Sequence, residues 1–438
     1  MRRASLRSKD AIRGFRSIMA MKRTFLQLVA LLLGAISLVN CSNSPSCVLI
    51  SNAATPVQAF GRAPAAVGAN GCPVGTGGGG GNGTCSDTLT PADVLFGQSS
   101  TGAITTLAIN TPGSSLALMC TTANAGLGEI AVANVSATSK NFLYALSITS
   151  SAGTRTGTID GFAIGHVAPV TLSAVGPAFT ISGANVLTGF FELQADPFGR
   201  FLTITDTSLS LVHVLLIDSN LGTLTEAPGS PFTVANALFT AVGATGAFLY
   251  VSDQSDAEIR IFSINLTINP VLTEIVNSPF FEPTHIAANA PISMQVNLAG
   301  TFLYTANTAS ISFYTINPDG SLTTVAGSPV AFVPEFDPRQ LTMDVTGTFL
   351  YALGTGTEGV LGFTMNANGS LTLISNTSFA GGTSVADMLV NPLGGQMYLL
   401  IAGGINVWTI VPLSGALTPP SGAPQFTSSS NLAAANVL

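Results

Sequence analysis

The sequence predicts an all-β fold, a seven-bladed β-propeller with four antiparallel strands in each blade. The first observation behind this prediction is a six-residue pattern of apolar positions that occurs seven times. The copies are Ile104–Ile109, Ile159–Ile164, Val212–Ile217, Ile259–Ile264, Ile311–Ile316, Val360–Met365 and Ile405–Ile410. They begin 55, 53, 47, 52, 49 and 45 residues apart. Such a period, built from short apolar strands, is typical of propellers with one blade per repeat.

The second observation is a Phe-Leu-Tyr segment that precedes the six-residue pattern. Full copies stand at 142–144, 248–250, 302–304 and 349–351, and degraded copies at 95–96, 201–203 and 397–398. Five of the six tyrosines of the chain occupy this segment. Aromatic and aliphatic residues in this arrangement favour a strand packed between neighbouring sheets.

The other two strands of each blade are marked by turn signals. Asp319-Gly320 illustrates the first, a tight hairpin in which glycine tolerates positive φ. A short strand with Leu-Thr follows, as at Leu322-Thr323, and then a Ser-Pro segment, as at Ser328-Pro329. Proline lacks an amide donor, so this segment marks the outer edge of the blade. A fourth strand precedes each Phe-Leu-Tyr segment, for example at 341–345.

The two ends of the repeat array predict how the ring closes. The first repeat has no obvious strand of the fourth type before Leu95, and the last repeat is followed by Asn431–Leu438, which resembles Glu129–Val132. We expect the C-terminal strand to complete the first blade, because a closed ring leaves no long free edge. Residues 89–438 then form one propeller domain.

The N-terminal residues 1–41 have the layout of an export signal. Lys22 and Arg23 precede an apolar stretch, Phe25–Leu38, that is short for a transmembrane helix. The stretch leads into Leu38-Val39-Asn40-Cys41, which resembles a bacterial lipobox and predicts lipidation of Cys41. We therefore expect an exported protein, a periplasmic or cell-surface lipoprotein. Simple secretion, with Cys41 incidental, is the alternative.

Charge and cysteine content restrict the possible partners. Beyond Arg23 the chain has six basic and 20 acidic residues, a net charge of −14. This balance argues against nucleic acid and against any membrane contact except an N-terminal lipid anchor. Residues 42–88 are rich in Gly, Ala and Pro and predict a flexible tether. Four further cysteines favour disulfides over a metal site, because their spacing includes no CxxC and no histidine is near. They are Cys47, Cys72, Cys85 and Cys120.

Propellers bind ligands at a mouth of the central channel, where loops from all blades meet. The residue three positions after the tyrosine of Phe-Leu-Tyr is polar in three consecutive repeats: Asp206, Asp253 and Asn307. These side chains predict part of a polar ring that binds a ligand. The alternative is that they satisfy backbone groups of their own turns, as Asp and Asn commonly do.

The repeat motifs also resemble a known family. The segments Gly-Thr-Phe-Leu-Tyr, Asn-Pro-Asp-Gly-Ser-Leu-Thr and Ala-Gly-Ser-Pro are similar to those of the lactonase family of seven-bladed propellers, over about Asp87 to Leu438. That family includes 6-phosphogluconolactonase-type and muconate-cyclising enzymes. It often carries Gly-Pro-Arg-His before an inner strand, where this chain has Asp337-Pro338-Arg339-Gln340. Arginine is kept at Arg339, but Gln340 replaces histidine and is no general base.

The resemblance implies a lactone-opening site, which needs a base or activated water and a cation for the developing oxyanion. Arg339, Glu335 and His285 are the candidate catalytic residues; alternatively, Arg339 pairs with Asp337 or Glu335 and holds the loop. No metal and no cofactor are predicted. Because histidine is missing, the first prediction is a module that binds a small-molecule or protein ligand at its mouth.

Two other functions stay open. The alternative to a binding module is a hydrolase that opens an unphosphorylated lactone, since six basic residues are few for phosphate recognition. A structural role at the cell surface is a third reading, because Thr, Ser and Gly dominate the predicted surface positions.

Overall fold

The structure, a computed structural model, describes residues 93–99, 103–110, 115–123, 129–151, 154–165, 172–181, 191–207, 209–281, 291–332, 336–355, 359–374, 385–391, 394–401, 404–419 and 429–436. Within these ranges the chain forms 32 strands and no helix, so no helix there is long and apolar enough to span a membrane. The strands make seven antiparallel sheets, which are the seven predicted blades.

The blades are numbered along the chain. Blade 1 contains β1 (Asp93–Ser99), β2 (Ala103–Asn110), β3 (Ser115–Ala123) and β32 (Ser429–Asn436). Blade 2 contains β4 (Ile130–Val135), β5 (Lys140–Ser151), β6 (Thr154–Ile164), β7 (Leu172–Ala174) and β8 (Phe179–Ile181). Blade 3 contains β9 (Phe191–Ala195), β10 (Phe201–Asp206), β11 (Leu211–Ile217), β12 (Leu224–Glu226) and β13 (Phe232–Thr233). Blade 4 contains β14 (Ala237–Val242), β15 (Phe248–Asp253), β16 (Glu258–Ile264), β17 (Leu272–Glu274) and β18 (Phe280–Phe281).

The remaining three blades repeat this plan. Blade 5 contains β19 (Ser293–Val296), β20 (Phe302–Asn307), β21 (Ser310–Ile316), β22 (Leu322–Thr324) and β23 (Val330–Ala331). Blade 6 contains β24 (Asp337–Met343), β25 (Phe349–Thr355), β26 (Val360–Met365) and β27 (Leu371–Leu373). Blade 7 contains β28 (Val385–Val390), β29 (Gln396–Ile401), β30 (Gly404–Ile410) and β31 (Leu417–Thr418). The strand before each Phe-Leu-Tyr segment is innermost, and the six-residue pattern forms the third strand.

The seven innermost strands form a closed cycle around the central axis. Each of β4, β9, β14, β19, β24, β28 and β32 contacts the next, and β32 contacts β4. β32 also pairs with β1, with Ala433 opposite Phe96 and Asn436 opposite Asp93. The C-terminal strand therefore completes blade 1, as the sequence predicts, and the ring has no gap at this position.

The Phe-Leu-Tyr segment joins each blade to the next one. Tyr250 Oη in blade 4 donates to the carbonyl oxygen of Gly320 in blade 5 at 3.1 Å, and the ring of Phe248 lies against the same glycine. The same tyrosine bond links blades 2 and 3 and blades 6 and 7. The phenylalanine and the turn glycine are therefore two halves of one contact between blades, although they stand far apart in sequence.

The Ser-Pro segment differs from the expectation of four strands per blade. In blades 2 to 5 a short fifth strand pairs with the third strand, outside the four-strand path. In blade 5 this strand follows Ser328-Pro329, and Ser328 Oγ accepts the backbone N–H of Phe313 at 2.8 Å. The serine thus satisfies a third-strand amide next to proline, which has no N–H of its own.

Several predictions concern residues outside the described ranges. The export signal, the tether, Cys41, Cys47, Cys72 and Cys85 lie before residue 93. Cys120 lies on β3, within a described strand.

Candidate functional site

Polar side chains surround the axis at one level of the propeller. The tyrosine slot is the third position of the Phe-Leu-Tyr segment, whichever residue occupies it. In five blades a polar residue, on the innermost strand or directly before it, lies opposite the residue two positions after this slot. They are Glu129, Glu192, Ser293, Gln340 and Asp387, and they are called the channel ring here. The register places them at one level, on the side of the ring where these strands begin, so they mark one mouth of the channel.

Hydrogen bonds connect members of the channel ring from blade to blade. Gln340 Nε2 donates to Asp387 Oδ1 at 2.9 Å and to the carbonyl oxygen of Met388 at 3.0 Å, and Gln340 Oε1 accepts the N–H of Met388 at 3.0 Å. On the other side, Ser293 Oγ accepts the N–H of Leu341 at 3.1 Å. Blades 5, 6 and 7 are therefore held together by polar contacts at this mouth.

The two glutamates of the channel ring have unusual proton affinity. Burial, and then the negative charge of Asp387, raise the pKa of Glu129 from 4.5 to about 8. Burial also raises the pKa of Glu192 well above its ordinary value; a hydrogen bond from Gln194 opposes this rise, and the nearby Glu129 charge adds to it. Both side chains keep some exposure, but dense surrounding protein disfavours their charged forms.

Glu192 also has an unsatisfied oxygen. Its Oε1 accepts from Gln194 Nε2 at 2.8 Å, whereas its Oε2 is inaccessible to solvent and has no hydrogen-bond partner among the described residues. An unpaired buried carboxyl oxygen costs free energy unless a proton, a water or a ligand satisfies it. The channel ring therefore has the composition of a proton-transfer site, with two carboxyls whose pKa is raised.

β-Bulges reshape three of the innermost strands at this mouth. The ladder shifts between Pro338 and Gln340 on β24, between Val385 and Asp387 on β28, and between Ala237 and Thr240 on β14. A bulge turns the extra residue away from the regular alternation of side chains and is common beside active sites. The extra residue on β24 is Arg339.

Arg339 lies at the channel mouth and its side chain is 48% exposed. Its Nη2 is 3.7 Å from Asp337 Oδ2. This ion pair with Asp337 is the alternative to a catalytic role of Arg339 that the sequence leaves open. At this distance and exposure the ion pair contributes little to stability. Among the described innermost strands, Arg339 is the sole lysine or arginine, so it is the cation nearest to the channel ring along the sheet.

The other predicted catalytic residues, His285 and Glu335, lie outside the described residues. His285 precedes β19 in the chain and Glu335 precedes β24, so both belong to connections that enter innermost strands of the ring. Their assignment stays a prediction.

The predicted ligand-binding residues Asp206, Asp253 and Asn307 occupy equivalent positions at the ends of β10, β15 and β20. All three are fully buried at the same end of the propeller as the channel ring. Their bonds are local: Asp206 Oδ1 accepts from Leu209 N, Asp253 Oδ1 from Ser255 N, and Asn307 Nδ2 donates to Ser312 Oγ. The contacts of Asp206 and Asp253 with backbone N–H groups are those of the alternative interpretation, whereas Asn307 bonds a side chain on β21; ligand binding by all three stays a prediction.

Sequence reasoning missed Glu129, Glu192 and Asp387 as functional residues. A signal existed, since charged residues are only 8% of the chain and two of these acids interrupt apolar innermost strands. Glu192 and Asp387 both stand 11 residues before the tyrosine slot of their repeats, whereas Glu129 stands 15 before it, so only the register with the Phe-Leu-Tyr strand shows that all three share a position. That register brings residues 129, 192 and 387 to one level of the ring.

Residues 192–387 match the family profile described as "Lactonase, 7-bladed beta-propeller". The resemblance to the lactonase family predicted from the repeat motifs is therefore confirmed over this part of the chain. No curated protein sequence matches the chain.

Solved structures share the fold. A proposed 6-phosphogluconolactonase of Bacteroides fragilis superposes with a TM-score of 0.62 at 17% identity, over 80% of this chain and 99% of its own. The periplasmic gluconolactonase PpgL of Pseudomonas aeruginosa gives a TM-score of 0.62 at 15% identity, over 79% of this chain and 99% of its own. At these identities the likeness establishes the propeller architecture alone.

Proposed function

We propose that this seven-bladed propeller, which carries the lactonase family pattern over residues 192–387, hydrolyses an unphosphorylated lactone at the channel ring. The observation that carries the proposal is the contrast between Glu129 and Asp387. Because burial, and then the nearby Asp387, raise the pKa of Glu129 to about 8, the Glu129 carboxyl keeps its proton at neutral pH beside a second carboxyl. Such a pair could supply the base and the acid for lactone opening.

In the proposed reaction Asp387 is the general base and Glu129 the general acid. The Asp387 carboxylate takes a proton from a water molecule as that water attacks the lactone carbonyl carbon. The tetrahedral intermediate then expels the ring oxygen, which takes its proton from Glu129. The product is a hydroxy acid. The enzyme returns to its starting state when one proton passes from Asp387 to Glu129.

Neighbouring residues position this pair. Gln340 bonds Asp387 Oδ1 and the Met388 backbone, so the base keeps one orientation. Arg339, set at the bulge of β24, supplies positive charge for the oxyanion of the intermediate. The substitution of glutamine for the family's histidine therefore moves the base function from that position to Asp387 in the next blade.

The substrate is proposed to lack a phosphate because the channel mouth has few cations to bind one. Phosphate recognition normally uses several arginines or lysines. Of the basic residues whose side chains the structure describes, Lys140 donates to Asn220, Arg200 pairs with Asp196, and Arg260 pairs with Glu258 and Glu274. Arg339 is left as the described cation at the channel mouth, beside several carboxyls that would repel a phosphate dianion.

A panel of sugar and aliphatic lactones, phosphorylated and not, tests the proposal. We expect hydrolysis of an unphosphorylated lactone, with kcat/KM reduced about 100-fold to 1000-fold by Arg339→Ala. Lys140→Ala, which removes a cation at the opposite end of the propeller, is the matched control and keeps wild-type rates. No turnover above the buffer rate for any lactone would reject hydrolysis and leave the ligand-binding or protein-binding module as the function.

We also propose that the protein is exported and anchored through a lipid on Cys41, because the N-terminal segment has the order of an export signal and a lipobox. Incorporation of labelled palmitate in a bacterial host tests this. We expect label in the wild type and in Cys47→Ser, and none in Cys41→Ser. Label that persists in Cys41→Ser, or its absence from the wild type, would contradict the anchor.

A further inference from the structure

Three acidic side chains gather on the turn between β15 and β16 in blade 4. Asp253 ends β15, Glu258 begins β16, and the two residues are directly opposite in the ladder. Asp256 lies on the loop between them. One carboxylate oxygen from each of the three lies within 4.8 Å of the others, a spacing that allows one ion to contact all three.

Asp253 contributes a buried oxygen that nothing else satisfies. The residue is fully buried, and its Oδ1 accepts the N–H and the hydroxyl of Ser255 at 3.0 and 2.6 Å. Its Oδ2 is inaccessible to solvent and has no hydrogen-bond partner in the described part of the chain. Buried carboxylate oxygens are ordinarily paired, so this oxygen indicates a missing ligand.

Local cations do not balance the negative charge. Arg260 Nε donates to Glu258 Oε1 at 3.0 Å, and the same guanidinium donates through Nη1 to Glu274 at 3.1 Å. With Asp253 and Asp256, which lie beside Glu258, the described residues here include four carboxylates and one guanidinium. A divalent cation would offset most of the remaining negative charge.

We propose that Asp253, Asp256 and Glu258 bind a hard divalent cation, with Ca²⁺ as the best fit. Ca²⁺ takes six to eight oxygen ligands in flexible geometry, and carboxylates from a turn supply several of them, with water completing the shell. Soft metals prefer cysteine or histidine, and the cluster has neither. None of the three residues belongs to the channel ring, and the site does not depend on lactone hydrolysis.

The neighbouring blades lack this arrangement. The equivalent turn of blade 3, Asp206–Leu211, has one acidic residue, and that of blade 5, Asn307–Ser310, has none. In blade 5 the Asn307 amide instead donates to Ser310 Oγ and Ser312 Oγ. The cation site therefore belongs to blade 4 rather than to the propeller repeat.

Calcium titration of the metal-free protein tests the site by calorimetry and by thermal unfolding. After treatment with a chelator, about 5 mM Ca²⁺ should raise the Tm of the wild type by about 2–4 °C, and one binding event should be visible. Asp256→Asn should lose both effects. Because Asp256 is exposed, the variant keeps its fold, and in chelator it should be at least as stable as the wild type, since one repulsive charge is gone.

Asp319→Asn is the matched control. Asp319 Oδ1 accepts the N–H and the hydroxyl of Ser321 at 3.1 and 2.6 Å, the same turn contacts that Asp253 makes, but no acidic cluster surrounds it in the described residues. It should keep the wild-type calcium shift. A wild type without any shift, or a shift of equal size in Asp256→Asn, would overturn the proposal.

Discussion

Gln340 on β24 and Asp387 on β28 are joined by a 2.9 Å hydrogen bond between adjacent blades. Gln340 stands where the lactonase family often has histidine, and its amide also bonds both backbone groups of Met388. A neutral amide can donate and accept at once without changing protonation. The replacement therefore converts a titratable position into a fixed support for the neighbouring carboxylate.

Gln340→Leu should lower the free energy of unfolding by about 2 kcal/mol. The change removes the partners of Asp387 Oδ1 and of the Met388 backbone while keeping a side chain of similar length. Urea unfolding measures the effect.

Gln295→Leu on β19 controls for the loss of a glutamine from an innermost strand. Gln295 Nε2 makes a single 3.3 Å bond, to the carbonyl oxygen of Val296, so this variant should lose well under half as much stability. Equal losses in both variants would show that the link between blades has no special strength.

Gly320→Ala should destabilise the protein by about 1–3 kcal/mol more than Gly327→Ala. Both glycines have positive φ, 85° and 89°, so backbone strain is common to the two variants. A Cβ at 320 would lie 2.4 Å from the Phe248 ring of the adjacent blade, whereas a Cβ at 327 meets nothing within 4 Å. Thermal unfolding of the pair isolates the contact between blades, and equal Tm values would refute its importance.

Glu129→Gln should alter how stability depends on pH. The carboxyl has a pKa of 4.5 in the unfolded chain and about 8 in the fold. Between these values the unfolded chain releases a proton that the folded protein keeps, so the free energy of unfolding falls as pH rises and levels off above about 8. The variant should lose this part of the slope.

Asp319→Asn is the control for the pH experiment. Hydrogen bonds from Ser321 lower the pKa of Asp319, so its removal changes the slope of stability with pH only in acid, where that contribution is lost as the carboxylate takes up a proton. Urea unfolding at a series of pH values between about 4.5 and 8 compares the three proteins. A Glu129→Gln slope identical to that of the wild type would mean that Glu129 is ionised in the fold at neutral pH.

The sequence is sufficient for the architecture because the propeller is built from local repeats. Phe-Leu-Tyr at 248–250 and the turn at Asp319-Gly320 recur at nearly constant spacing, since each repeat must make the same contact with its neighbour. Closure is predictable for the same reason: Asn431–Leu438 lacks a blade of its own, and blade 1 lacks an innermost strand.

The channel ring could not be predicted because it does not repeat. Equivalent positions hold Glu129, Glu192, Ser293, Gln340 and Asp387, five residues of four types. Glu192, Ser293, Gln340 and Asp387 each stand 11 residues before the tyrosine slot and Glu129 stands 15 before it, but nothing in the sequence marks these offsets as one level of the channel. The raised pKa of Glu129 and of Glu192 depends on burial and on charges from other blades, which are properties of the assembled ring.

The central claim is tested most directly by the pH dependence of kcat/KM for the best lactone substrate, in the wild type and in Glu129→Gln. The wild-type rate should fall above about pH 8, as Glu129 loses the proton that it donates to the leaving oxygen. Glu129→Gln should be about 100-fold to 10,000-fold slower and lack this decline. A variant with the wild-type rate and the same alkaline limb would contradict catalysis by the channel ring.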